Sequence, residues 1–156
     1  MKRFQKRRVE ETIPLNDFGF NLVHNGIYCL FCEDDKTYVG QSKCIEIRYQ
    51  EHGIKRPTKA FILEHIDPYS ILYRNVISSD KVMDTCEALW IAILEPDLNI
   101  QLPKLKIDSY GKISGYCVTP GKSYEKPSQN KMRQIAAALG WSLEKQDKWM
   151  GQLCLG

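Results

Sequence analysis

The chain has 156 residues, 43% apolar, 26% charged and 10% aromatic, which suits one ordinary globular domain and leaves little room for two. Its formal net charge of +3, from 22 basic and 19 acidic residues, is too small to argue for a polyanionic partner by itself. No stretch approaches the roughly 18 uninterrupted apolar residues of a membrane-spanning helix. The basic start MKRFQKRRVEET has no apolar run behind it, so the expectation is a protein without membrane insertion or export signal, cytoplasmic or nucleoid-associated.

The distribution of charge says more than its sum. Lys2, Arg3, Lys6, Arg7 and Arg8 precede the first acid, Glu10, and Lys55, Arg56 and Lys59 form a second basic stretch. Such runs either touch nucleic-acid phosphate or stay solvated. Six cysteines in a chain with no visible export signal are expected as reduced thiols. The closest pair, Cys29 and Cys32, sits in GIYCLFC. On a strand, positions i and i+3 point to opposite faces, which argues against a shared zinc.

In chain order, residues 1–21 show no period and are expected as a basic arm, with order beginning at Gly26. GIYCLFC and KTYVG are β-rich runs around the turn-forming residues 33–36, hence an antiparallel hairpin. Ser42 is placed to cap a helix over 43–52, stopped by Gly53. Pro57 before and Asp67-Pro68 after predict a helix over 58–66. Residues 69–77, YSILYRNVI, predict a third strand. Val82, Met83, Cys86, Leu89, Trp90, Ile93 and Leu94 recur at helical spacing, and Pro96 stops that helix.

Gly, Pro, Lys and Tyr alternate through 103–127, so this stretch is expected as a linker or loop, with GYCVT as its only strand candidate. Ser128 and Ser142 cap two last helices separated by Gly140. The predicted fold is α+β, a small, mainly antiparallel three-stranded sheet flanked by helices. Its core spans 22–102, and a helical extension covers 128–156. The stripe of Met132, Ile135, Ala136, Leu139 and Trp141 is expected as core; the alternative is a DNA-contacting module using Lys131, Arg133 and Lys145.

The residues that carry chemistry are Gly26-Ile27-Tyr28 and Tyr38-Val39-Gly40 on the hairpin, Arg48 and His52 on the next helix, Glu87 on the long helix, and Asn99 beyond it. In order, spacing and element sequence this set resembles the GIY-YIG endonuclease family, over Asn25 to Asn99. Phosphodiester hydrolysis needs an activated water, a cation at the non-bridging oxygens and stabilisation of the leaving oxygen. Arg48 and His52, four apart on one helix, share a face and can converge on one phosphate, where the guanidinium offers two parallel donors. Glu87 stands among apolar helix neighbours, where a carboxylate needs a partner; one Mg²⁺ or Mn²⁺ held by Glu87 and waters would supply it.

The resemblance further implies that Tyr28 is the general base, that Tyr38 orients water or phosphate, and that Asn99 supports the site through hydrogen bonds. His52 stands where some members have tyrosine, and is expected either to assist Tyr28 as a base or to contact phosphate. Gln41 stands where several have lysine, so the cationic contact falls to Lys43 or is missing. Lys43, Lys55, Arg56, Arg7 and Arg8 join Arg48 as expected nucleic-acid contacts, while His24 and His65 match nothing in the pattern. The expected function is thus a metal-dependent DNA endonuclease, and the rival is a catalytically silent nucleic-acid-binding module on the same scaffold. Specificity is expected in the arm and tail, outside the nuclease core.

Overall fold

The computed structural model describes residues 11–13, 26–32, 35–42, 57–67, 70, 76–99, 101–118 and 126–151, with only the backbone of 11–13, 42, 57–59 and 79. The chain divides into two compact units, Met1–Asp67 with Leu94–Ile100 and Pro68–Ile93 with Gln101–Gly156. The long helix, inside the 22–102 core expected from the sequence, falls in the second unit but for its last residue, Leu94.

The first unit is a four-stranded antiparallel sheet of β1 (Glu11–Ile13), β2 (Gly26–Cys32), β3 (Thr37–Ser42) and β4 (Pro57–His65), in spatial order β1-β4-β2-β3. The expected hairpin is β2 and β3. All seven residues of β2 are buried, as befits a strand paired on both edges. Tyr28, Leu30, Cys32 and Ala60 form its core, with Tyr38, Ile62 and Leu98 packed against them. Phe31 meets Phe61 edge to face at 5.1 Å.

Two expectations are corrected here. The segment 58–66, expected as a helix, is β4. It pairs with β1 through Thr12↔Phe61 and with β2 through Leu30↔Ala60, so neighbouring strands satisfy the backbone groups that a helix would satisfy internally. Pro57 opens the strand, a position where a missing N–H is tolerated. Order does not begin at Gly26, since Glu11–Ile13 already pairs with β4. The helix expected over 43–52 lies outside the described residues, as does most of the strand expected over 69–77. Ile77 itself forms an isolated parallel bridge with Ile113 and joins no strand of the sheet.

The second unit is built on α1 (Val82–Leu94), entered through a short 3-10 turn, Ser79–Lys81. Thr85 Oγ1 donates to the Lys81 carbonyl at 2.6 Å, and Glu95 at φ 48° followed by Pro96 breaks the helix. Burial extends beyond one stripe: only Met83, Asp84, Glu87 and Leu94 are partly exposed. The stretch expected as linker over 103–127 contains an antiparallel hairpin, β5 (Leu102–Ile107) and β6 (Ile113–Val118). Its cause is the alternation from 102 to 107, which puts Pro103 and Leu105 inside and Lys104 and Lys106 outside. Gly115 lets β6 lie against α1, since a Cβ there would fall 2.7 Å from Thr85 Cα.

Helices α2 (Gln129–Ala138) and α3 (Leu143–Met150) are capped as expected: the Ser128 and Ser142 hydroxyls accept from Lys131 N and Lys145 N. Gly140, at φ 87°, makes the turn between them. Trp90 of α1 packs against Trp141 at 5.1 Å and edge-on against Trp149 at 4.7 Å, so an aromatic cluster ties α3 to α1. Met132, Ile135, Ala136, Leu139 and Trp141 are all buried. Arg133, offered by the sequence as a phosphate contact, is buried too. It pairs with Asp147 at 3.1 Å and donates to the Gly151 carbonyl.

Candidate active site

In the β2–β3 connection Asp35 adopts φ 59°, a conformation that Asp tolerates better than most residues, and Cys32 N donates to Lys36 O at 2.8 Å. The turn fixes a register in which Tyr28 stands directly opposite Gly40. Tyr28 is fully buried and Tyr38 partly so, with ring centroids 6.4 Å apart and planes at 42°. Gly40 makes this arrangement possible. A Cβ at residue 40 would lie 2.6 Å from the Tyr28 hydroxyl oxygen and 2.9 Å from the Tyr38 ring, so the missing side chain is the space into which both rings lean. On the other edge of β2 the register shifts between Ile27 and Tyr28, leaving Leu63 as an extra residue on β4. Bulges of this kind redirect a strand locally and recur beside active sites.

Asn99 closes the outer edge of the hairpin. Its Nδ2 donates to Val39 O and its Oδ1 accepts from Val39 N, both at 2.8 Å, while Leu98 N donates to Thr37 O and Thr37 N to the Asp97 carboxylate. Residues 97–99 therefore satisfy backbone groups that edge strand β3 would otherwise leave open. The sequence reading missed Asp97 and the steric part of Gly40. The signal for the second was present, because a glycine facing an aromatic across a tight hairpin commonly marks close approach.

In the second unit Glu87 is partly buried on α1. Its carboxylate lies close enough to Cys117 of β6 that burial first, then the charges of Glu87 and Asp84, push that thiol up to about 12. Burial also raises the Cys29 and Cys32 thiols, so both are protonated at neutral pH. Among the described residues no group of three or more His, Cys, Asp or Glu side chains is placed to hold a metal. One carboxylate with waters is a donor set that Mg²⁺ accepts and zinc does not, so Glu87 fits the sparse ligation expected of it. Arg48, His52, Lys43, Lys55, Arg56, Arg7 and Arg8 lie outside the described residues. Of the expected set, the first unit brings together Tyr28, Tyr38 and Asn99 around the Val39-Gly40 step of β3.

Residues 24–99 match the family model of the GIY-YIG catalytic domain. The chain carries a GIY-YIG domain. That domain is typical of a family of nucleases, and the match spans Tyr28, Tyr38, Arg48, His52, Glu87 and Asn99. The GIY-YIG match ends before the β5–β6 hairpin and before α2 and α3. No match to the chain was found among curated proteins or among solved structures. Among the described residues no helix is long and apolar enough to cross a membrane.

Proposed function

We propose that this GIY-YIG protein is a divalent-metal-dependent endonuclease that hydrolyses phosphodiester bonds in DNA. The observation that supports it most is the pairing of Tyr28 with Gly40: within the nuclease-family segment, the strand register sets both motif tyrosine rings against one glycine. In this reading Tyr28 takes the proton from the attacking water and Tyr38 orients water or phosphate. A phenol ionises near pH 10, so the base role requires a cation that favours the phenolate. Arg48 supplies one and holds the non-bridging oxygens through its two-pronged donor set, with His52 as a further phosphate contact. Glu87 would hold one Mg²⁺ or Mn²⁺, which supplies Lewis-acid stabilisation of the developing charge. Asn99 keeps β3 in register by its two bonds to Val39. Lys43, Lys55, Arg56, Arg7 and Arg8 serve as further phosphate contacts.

The test is incubation of the purified chain with supercoiled plasmid and Mg²⁺, beside a chelator control and a Glu87→Ala variant. Nicking or linearisation by the parent, lost in both controls, supports the proposal. A parent that binds DNA in Mg²⁺ or Mn²⁺ without cutting it would make the chain a silent binding module instead.

A further inference from the structure

The β5–β6 hairpin lies outside the nuclease-family match and has two unlike faces. Pro103, Leu105, Ile113 and Gly115 are buried, with Gly115 against α1. The opposite face carries Lys104 and Lys106 on β5, whose register partners on β6 are the neutral Tyr116 and Ser114. Cross-strand acids would be the ordinary way to balance two lysines on one strand face. Here none is present, and Lys104, Lys106 and Lys112 make no ion pair among the described residues. Lys106 Nζ instead lies 5.5 Å from the Tyr116 ring centroid. Its hydrogen bond to the Tyr116 hydroxyl, helped by the charge of Lys104, pulls that phenol below its ordinary pKa.

The tip is equally specific. Asp108 is the one acid in 101–118, and its Oδ1 accepts from Tyr110 N and Lys112 N, both at 2.8 Å. Asp108 N donates to Lys112 O, and Gly111 turns the chain at φ 78°. The single carboxylate of the hairpin is thus engaged with the turn backbone, and the turn holds Tyr110 out at 91% exposure. The result is a short two-stranded ribbon, apolar on one face and basic on the other, with an aromatic residue at its tip.

We infer that the outward face of this hairpin, Lys104, Lys106 and Lys112 with Tyr110 and Tyr116, is a second contact surface for the phosphate backbone of duplex DNA. The inference rests on the nuclease reading for the identity of the partner. The shape fits, because a two-stranded ribbon enters the major groove of B-DNA. The charge fits, because uncompensated lysines displace condensed counterions from phosphate, the sequence-independent part of DNA affinity. Tyrosine hydroxyls add neutral phosphate contacts of the kind that set register on the duplex.

The experiment measures the affinity of the full chain for a labelled DNA duplex in chelator, where nothing is cut, at several salt concentrations. The variants are Lys104→Gln/Lys106→Gln, Tyr110→Ala and Ser114→Glu, each checked for a parental melting temperature. The lysine pair should reduce the slope of log K against log salt by about 1.8, at about 0.9 per phosphate contact. Ser114→Glu, which gives Lys106 a cross-strand acid, should weaken binding without loss of fold, and Tyr110→Ala should weaken it several-fold. An unchanged slope in the lysine pair, or a parent that binds single strands and not duplex, overturns the inference. Cleavage is scored separately with Mg²⁺ under single turnover at saturating enzyme. A parent that never cuts, but whose slope falls in the lysine pair, defeats the nuclease proposal and leaves the hairpin surface standing.

Discussion

Gly40 faces Tyr28 across the β2–β3 ladder so closely that one added methyl group would sit 2.6 Å from the tyrosine hydroxyl oxygen. The glycine is therefore defined by its neighbour and not by its own backbone angles. Gly40→Ala should displace the Tyr28 and Tyr38 rings, cost about 1–3 kcal/mol of stability as overpacking does, and lower cleavage further than that loss explains. Urea denaturation and single-turnover cleavage of the same preparation check both parts. An alanine variant with parental stability and rate would show that the rings accommodate a side chain there.

Asn99 supplies a second, independent hold on the same strand. Removing its side chain opens both polar backbone groups of Val39 at once. Asn99→Ala should cost about 1–3 kcal/mol, since each lost partner strands a partly buried group. Asn99→Asp, when ionised, keeps the acceptor for Val39 N but sets a second acceptor against Val39 O, whereas the protonated carboxyl can donate there, so its midpoint should move towards the parent's as pH falls. The urea midpoints of the three proteins decide the order.

How much of this was legible in the sequence depends on where the determining contacts lie. The β2–β3 hairpin announces itself locally, through a β-rich run on each side of an acidic turn. The helices α1, α2 and α3 do so through apolar period and their Ser, Gly and Pro boundaries. Strand β4 does not: PTKAFILEH has helix-like punctuation, and its pairing with β1 and β2 depends on residues about 25 to 50 positions away. The β5–β6 hairpin was legible in principle. Its alternation of Pro103, Leu105 and Ile107 with Lys104 and Lys106 is a period of two, obscured because a proline occupies an inward position. For the site, the types and spacing of Tyr28, Tyr38 and Asn99 could be read from the chain. The reason Gly40 must be glycine, and the strand group that Asn99 grips, needed the register.

The buried thiols give a pH prediction. Burial raises the pKa of Cys29 in the folded chain above its ordinary value of 9.0. A thiol raised on folding contributes stability that is complete below the unfolded pKa and is lost as pH rises towards the folded one. Stability should thus decline above about pH 9 as the unfolded chain gains thiolate. Cys29→Ala should be less stable at neutral pH but show a shallower alkaline decline in urea titrations. An alkaline limb identical to the parent's would assign the decline to other groups.

Glu87 and the metal it is proposed to hold can be separated from docking. Glu87→Ala should abolish cleavage in Mg²⁺ while leaving duplex affinity in chelator within about twofold, because the carboxylate removed would serve the metal and not the docking, and a partly exposed position tolerates the change. Binding titrations without metal, beside single-turnover cleavage with it, give both readings. Parental cleavage by Glu87→Ala would remove Glu87 from the site.

Arg133 supplies the last prediction, because its charge looks like a DNA contact in the sequence and lies buried in the structure. Its guanidinium pairs with Asp147, which is 39% exposed, and donates to the Gly151 carbonyl at the end of α3. Arg133→Met keeps the aliphatic stem and should cost about 1–3 kcal/mol, discounted for the exposure of Asp147. Asp147→Ala should be the more damaging change, since it leaves a buried guanidinium without its counter-charge, whereas Met carries no charge to strand. Combining the two should cost less than the sum of the singles, because the second change removes the group that the first left unpaired. The salt dependence of duplex binding should be the same in Arg133→Met as in the parent. A slope reduced by about 0.9 would place this guanidinium on phosphate after all.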